Sequence, residues 1–511
     1  MAEWSAGYVA DIGYTHGYYQ ELNPLRIKLA FLNAGLVCPD VGTACELGFG
    51  QGLSTNIHAA ATLTRWYGTD FNPSQASLAR EMAMHAGSGA ELFDDAFSDF
   101  SMRSDLPDFD FICLHGIWSW ISDENRHVIV DFVRRKLKVG GVLYLSYNSL
   151  PGWANFSPMR HLLATHFANQ GGDGQGIVHQ IDEALAFGKN FLALNPGYAQ
   201  LNPTVQQRFE HVADQGRSYL AHEYFNRDWL PMHFATLAAW LEPAKVQFAC
   251  SANYGAHFDH LNMSAEQQAF LQKIPDRMFR ETVRDFIVNQ SFRRDYWVKG
   301  IRTLSSLEVA EKMGEIMVAL IKYRPDISYR IKLENSTAEL NESIYRPLLD
   351  LLADHLPRTI MSIAQILAPH GVKFSQVIEA LMLLSGAGHI VMAQAPEVAE
   401  ERGQVAARLN DYIRGKARGG AEMNCVASPV TGGGVPLARF PALWSKAISE
   451  GINTVDGLAN YVWAILKAQN QSLVIKGAQV TDPAESIAEL KRGAQEFLEK
   501  QLPILRALKV V

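Results

Sequence analysis

Residues 46–52 read Glu-Leu-Gly-Phe-Gly-Gln-Gly, between a short apolar run from Thr43 to Leu47 and a helical pattern from Ser54 to Leu63. Glycines at alternate positions between a strand and a helix let the backbone turn tightly and approach a ligand closely. The surrounding pattern agrees with such a turn. Helical stretches are expected at Pro24 to Ala34, Ser74 to Ala86 and Glu124 to Leu137, the last ended by Gly140-Gly141. Strands are expected at Trp66 to Thr69, Glu91 to Phe93, Phe109 to Leu114 and Val142 to Tyr147. Strands alternating with helices predict an α/β fold: a parallel sheet covered on both faces, with right-handed connections. Ligands of such sheets sit beyond the carboxyl ends of the strands, where the strand order reverses.

After Asn155 helical stretches follow one another, broken by polar segments such as Gly171-Gly172-Asp173-Gly174. Trp229 to Trp240 and Pro275 to Gln290 read as helices, and Val246 to Cys250 as a strand returning to the sheet. From Thr359 to Ala393 the order helix, turn, helix, strand resembles a winged-helix module. No Lys or Arg lies between Phe374 and Ser385, so a DNA-reading helix would lack its attraction to phosphate. A Gly/Pro-rich break at Thr431 to Pro436 precedes a last helical unit, Leu437 to Leu508. The expected domains are 1–155, a helical insertion at 156–300 completing it, a winged-helix-like middle domain at 301–430, and a C-terminal domain at 431–511. A length of 511 residues suits three or four domains at roughly 100 to 200 residues each.

Composition narrows the partners. The net charge of -7 argues against a protein that coats nucleic acid. Five dispersed cysteines show no Cys-x-x-Cys spacing, so neither a disulfide framework nor a thiolate zinc site is expected. No secretory leader and no apolar run of membrane-spanning length are read, which makes the cytoplasm the expected location.

The glycine run is not the dinucleotide fingerprint. Counted from Gly48 or Gly50, the third fingerprint glycine falls at Leu53 or Thr55. The preceding acid, Glu46, would repel a pyrophosphate but attract an ammonium group, which favours S-adenosylmethionine (SAM) over NAD. Asp70 ends the second strand, where a carboxylate can accept hydrogen bonds from ribose hydroxyls. Asp95, in Asp94-Asp95-Ala96-Phe97 after the third strand, is placed to accept from an adenine amino group. These three elements, in order, resemble class I SAM-dependent methyltransferases over residues 43 to 147, with a Rossmann-like sheet.

Four further stretches resemble a narrower family, methyltransferases with a predicted methyltransferase regulatory domain. They are His115-Gly-Ile-Trp-Ser-Trp120, Ser146-Tyr-Asn-Ser-Leu-Pro-Gly-Trp153, Tyr219-Leu-Ala-His-Glu-Tyr224 and Phe292-Arg-Arg-Asp295. That family includes bacterial lysine methyltransferases acting on outer-membrane proteins. The resemblance implies SAM as cofactor, bound by Glu46, Gly48, Gly50, Gly52, Asp70, Phe71, Asp95, Ala96 and His115. It also implies a protein lysine as acceptor and C-terminal domains that engage the substrate. A small-molecule or sugar acceptor and a non-catalytic SAM-binding scaffold stay open, as does a homodimer.

Methyl transfer from a sulfonium asks the protein for positioning, desolvation and a deprotonated nucleophile. His115 is a candidate general base, titrating near neutrality. Tyr18 and Trp118 are candidates for the catalytic centre, and Trp120, Asn148 and Trp153 for the substrate. Tyr14 and Tyr19 join them as aromatic walls, and Tyr8 to Pro24 is expected to close over the cofactor. The tryptophans read equally as core packing. The Asn/Asp-Pro-Pro-aromatic tetrad of enzymes that methylate DNA bases is absent, with His115-Gly116-Ile117-Trp118 in its place. His257-Phe-Asp-His260 has helical metal-ligand spacing but lacks a third ligand, so an exposed loop is expected there. Arg293-Arg294 reads as a helix-end or salt-bridge pair.

Overall fold

The computed structural model describes residues 8–9, 12–170, 176–332, 337–475, 478–480 and 482–511. The expected break at Gly171 to Gly174 lies outside the described residues. One sheet holds seven strands in the order β3-β2-β1-β4-β5-β7-β6. They are β1 (Thr43–Leu47), β2 (Arg65–Thr69), β3 (Glu91–Phe93), β4 (Phe109–Leu114), β5 (Leu137–Asn148), β6 (Gln247–Ser251) and β7 (Phe292–Val298). The first five run parallel, and β7 runs antiparallel between β5 and β6. The strand order therefore reverses between β1 and β4, and the glycine turn and His115 both lie at that switch point.

Local chemistry sets the element ends. Asn23 caps α1 (Pro24–Asn33) by accepting from the Leu25 amide, with Pro24 in the first turn. Asn72 caps α3 (Pro73–Ala86) in the same way, and Gly87, left-handed at φ 62°, closes it. The helices α2 (Leu53–Ala61), α4 (Phe97–Met102) and α5 (Asp123–Lys136) complete the alternation.

Three boundaries differ from expectation. Gly140-Gly141 do not end α5, because β5 already starts at Leu137. Gly140, at φ 84°, sits instead where the β4–β5 register shifts, and its amide still pairs with the Lys299 carbonyl at 2.7 Å. The helix expected from Trp229 begins only at Phe234. Pro231 disfavours helix in the residue before it, and Leu230 and Met232 instead donate to the Ser119 and Asn148 carbonyls at 2.7 and 3.1 Å. The expected break at Thr431 to Pro436 contains a strand, Gly433–Pro436, paired with Cys425–Ser428. Its glycines admit the N-terminal segment, since a Cβ at Gly433 would lie 2.6 Å from the Tyr18 hydroxyl and from the Asn23 amide nitrogen.

From residue 360 the helix Ile360–Leu367, a turn, the helix Phe374–Gly386 and the strand Ile390–Ala393 follow in the expected order. That strand pairs antiparallel with Met317–Leu320, which has Arg358–Thr359 on its other side. This unit has no separate core. Val318, Leu348 and Leu381 share one apolar cluster with Ile27 and Phe31 of α1 and with Tyr144 and Tyr296 of the sheet. The C-terminal part joins the sheet layer too. The helix Pro396–Lys416 packs along α2 and α3. Its Arg402 donates to the carbonyls of Ala59 and Ala60 at 2.6 and 3.2 Å, its Arg408 to Ala86 at 2.8 Å, and Gln394 to Ala61 at 2.7 Å. Cationic donors thus meet the negative, unsatisfied ends of both helices.

Candidate active site

The glycine turn after β1 is left-handed at all three positions, with φ of 75° at Gly48, 57° at Gly50 and 71° at Gly52. Space demands glycine as well. A Cβ at Gly48 would lie 2.5 Å from Ile117 Cδ1, and one at Gly52 2.4 Å from Ala79 Cβ. The turn forms one wall of a cavity of about 280 Å³.

Asp70, at the end of β2, lines this cavity and is nearly buried. Its carboxylate accepts from the Gly50 amide at 2.8 Å and the Asn72 amide at 3.0 Å. Gln75, with its amide nitrogen turned toward Asp70, adds a third donor at 3.0 Å. A carboxylate offers about four acceptor sites, so capacity remains for a ligand's hydroxyls. Burial pushes Asp70 up to about 7 against these amide donors. Asp95 and Ala96 line the cavity beyond β3, with the Asp95 carboxylate held by Arg103 at 3.0 Å. Phe71 lines it too, edge-on to Tyr8 at 5.6 Å between centroids.

The opposite wall comes from the N-terminal segment, which supplies Tyr8, Tyr14, Thr15, Gly17 and Tyr19. This segment is clipped to the helix Arg217–Tyr224. The Tyr14 hydroxyl donates to Glu223 at 3.0 Å, His222 Nε2 meets the Ile12 carbonyl at 2.9 Å, and the Val9 amide donates to Asn226 just beyond the helix at 2.9 Å. Trp120 closes the rim, and its indole N–H donates to the Glu223 carbonyl at 3.2 Å. The Tyr219-to-Tyr224 motif thus fastens the covering segment.

His115 lines the cavity, stacked on Tyr19 at 3.6 Å, with Nδ1 2.8 Å from the Tyr144 hydroxyl. Burial lowers it to about 4, so the ring is neutral near pH 7. Its burial in the wall and its stacking on Tyr19 suit a cofactor-contact or structural role as well as that of a base.

Five further expectations fall outside the cavity lining. Glu46 is 1% exposed beneath the glycine turn, accepts from Thr55 Oγ1, and is pushed up to about 7 by burial. It supports the turn rather than facing the cavity. Tyr18 points the other way from Tyr19, against His58 and the glycines of the strand Gly433–Pro436. Trp118 is core, edge-on to Trp240 and bonded through Nε1 to Met232 Sδ at 3.3 Å. Trp153 packs on Trp229 at 5.0 Å inside the helical insertion, with the Arg208 guanidinium over its ring at 4.1 Å. Asn148 is buried at the end of β5, where its backbone amide meets Ser119 Oγ at 2.9 Å.

Sequence reading missed Gln51, Gln75, Asn125 and Asp228 in the lining. Gln51 carried a signal, standing between two motif glycines, whereas the others reach the site only through tertiary packing. His257 meets Ser251 O at 2.8 Å and Asn33 at 3.1 Å, and His260 sits beside Glu379. Both belong to short helical turns rather than an exposed loop, and no cluster of three metal-ligating side chains occurs among the described residues.

A methyltransferase-domain model matches residues 45–145, and a predicted methyltransferase regulatory domain matches 216–299. An uncharacterised protein of Synechocystis sp. is 36% identical over 510 residues, 99% of both chains. The chain belongs to the SAM-dependent methyltransferases that carry a methyltransferase regulatory domain. A Rickettsia prowazekii protein is 24% identical over 288 residues, covering 55% of this chain and 51% of its own. The solved structure of PKMT2 from Rickettsia typhi in complex with AdoHcy superposes with a TM-score of 0.68 at 17% identity, over 96% of this chain and 98% of that one. At that identity the likeness is one of fold. Among the described residues no helix is long and apolar enough to cross a membrane.

The cavity fits SAM on its own chemistry. It offers a backbone cradle that side chains would fill, a carboxylate with spare acceptor sites beside backbone donors, and aromatic faces that favour a cation. The ionisation of Asp70 then predicts a pH dependence. Ligand hydroxyls need the carboxylate form, so the affinity for AdoHcy should fall about tenfold from pH 8 to pH 6. Stability of the ligand-free protein should move the opposite way. A carboxyl raised above its unfolded value holds a proton that the unfolded chain releases, so stability rises as pH drops from about 7 toward the unfolded value. Calorimetric AdoHcy titrations and thermal melts at both pH values check the two signs.

Proposed function

We propose that this methyltransferase acts on lysine side chains of proteins. The observation that carries this reading is the acceptor side of the cavity, where Tyr14, Tyr19 and Trp120 present aromatic surface and Asp228 stands in the lining with its carboxylate part-exposed. Aromatic faces and a carboxylate suit a cation on an alkyl stem, through the ring quadrupole and direct charge attraction.

Bound SAM supplies an electrophilic methyl group on its sulfonium. The chain does the rest. In this reading Asp70 takes the ribose hydroxyls, Asp95 and Ala96 border the adenine, and the amides of the glycine turn face the amino-acid end. The Tyr8-to-Tyr19 segment and Trp120 exclude water, which strengthens each polar contact inside.

Methyl-labelled SAM incubated with bacterial cell lysate tests the proposal. Label should appear in protein and survive digestion as methyl-lysine. Label confined to small molecules would overturn the lysine reading, and tight SAM binding without transfer would point to a scaffold.

A further inference from the structure

A lysine side chain reaches a methyltransferase as an ammonium, with no lone pair to attack with, so the site must take up one proton before transfer. Burial disfavours a proton on His115, and in this reading Asp70 is taken by the ribose hydroxyls. Asp228 stands beside Arg227 at 3.1 Å with solvent access.

Glu223 stands apart from these groups. It lies on the helix Arg217–Tyr224, and its Oε1 accepts from the hydroxyl of Tyr14, a cavity-lining residue, at 3.0 Å. Tyr19 lines the cavity beside Tyr14, its ring stacked on His115. The Trp120 indole holds the Glu223 carbonyl, fixing this helix against the rim. One hydrogen bond therefore links the aromatic wall of the cavity, at Tyr14, to the half-buried Glu223 carboxylate.

We propose that Glu223 receives, through the Tyr14 hydroxyl, the proton that the substrate lysine must lose; this rests on the lysine reading above. The ammonium N–H bond breaks and its electron pair stays on nitrogen. Tyr14 Oη takes that proton while passing its own to Glu223 Oε1. One cation and one anion become two neutral groups, so the half-buried site ends with less charge than it began. Burial supports the role by raising Glu223 to about 7, within reach of an operating pH near neutral. The titratable neighbours are Tyr8, Tyr14 and Tyr19 of the covering segment and Tyr219, His222 and Tyr224 of its own helix. The tyrosines are all raised and stay protonated, so none of them adds a competing anion.

The test uses the full chain with Glu223→Gln, which keeps an oxygen for Tyr14. AdoHcy affinity by calorimetry should stay within about twofold of wild type. Turnover of methyl-labelled SAM on total bacterial cell protein should fall at least thirtyfold at unchanged KM for SAM. The acid limb of the wild-type kcat–pH profile, with a midpoint near 7, should vanish, and Glu223→Asp should restore part of the rate and the limb. Joint loss of AdoHcy affinity and turnover would make Glu223 a clip for the covering segment and overturn the assignment. Undiminished turnover, with label on lysine, would overturn the proton role alone. Wild-type label on residues other than lysine would overturn the reading beneath it.

Discussion

Asp70→Ala should weaken AdoHcy binding at least a hundredfold while leaving the far-ultraviolet circular dichroism unchanged. Two hydroxyl hydrogen bonds to a buried carboxylate are together worth about 3 to 6 kcal/mol, each being a bond to a charged group. The same substitution frees the amides of Gly50 and Asn72, which Asp70 holds at 2.8 and 3.0 Å, so the glycine turn also loses its tether. The two causes separate with Asp70→Asn. Asparagine keeps one acceptor oxygen for the turn but lacks the second, so it should recover only part of the affinity. The fold survives because removing a buried carboxylate raised to about 7 relieves a desolvation cost rather than adding one. Calorimetric titration reads the result, and an AdoHcy affinity equal to wild type would refute the ribose role.

The second large effect is structural. Arg293→Met should destabilise the protein by about 3 to 5 kcal/mol, because it leaves carboxylates buried without their partner. Arg293 lies in β7 and pairs with Asp285 at 2.6 Å, Asp295 at 2.7 Å and Glu281 at 2.9 Å, with its guanidinium over the Phe234 ring at 4.3 Å. Asp285 and Glu281 belong to the helix Arg277–Val288, so one side chain ties that helix to the sheet. The loss should grow with pH. Unpaired buried carboxylates take up protons, which the folded variant retains and the unfolded chain releases, so the variant is least stable above neutrality. Denaturant unfolding at pH 6 and pH 8 measures both the loss and its slope. A variant as stable as wild type at pH 8 would show that Met repacks the site without cost. The neighbouring Arg294 pairs with Glu21 at 3.1 Å, so both arginines of the motif serve ion pairs, as their sequence reading allowed.

The parts of the site that the sequence disclosed are those fixed by the backbone. Gly48, Gly50 and Gly52 announce a left-handed turn, and Asp70 and Asp95 follow strands whose ends alternation already defines. Asn72-Pro73 and Gly87 mark a helix at both ends by local chemistry alone. What the sequence hid depends on partners far along the chain. Tyr18 and Tyr19 are neighbours, yet only Tyr19 enters the cavity, because Gly433 and Gly434 leave a slot that Tyr18 fills. Trp118 and Trp120 share one 3-10 turn, and Met232 and Trp240 draw the first into the core. Asp228 reaches the lining from a segment with no recognisable spacing to the glycine turn. Gly140-Gly141 misled for a related reason, since a glycine pair reads as a stop although β7 keeps the strand paired through it.

The contact between Arg402, Arg408 and the ends of α2 and α3 has a consequence for how this enzyme can be divided. Both helices begin beside the nucleoside pocket and finish against a buttress built from the last quarter of the polypeptide. Deleting that quarter would not trim an appendage. It would strip the support from the two rods whose near ends shape the pocket, and bare apolar surface along their length. The pocket's two flanking rods are therefore held at their far ends by the tail, so the tail is part of the scaffold that shapes the pocket.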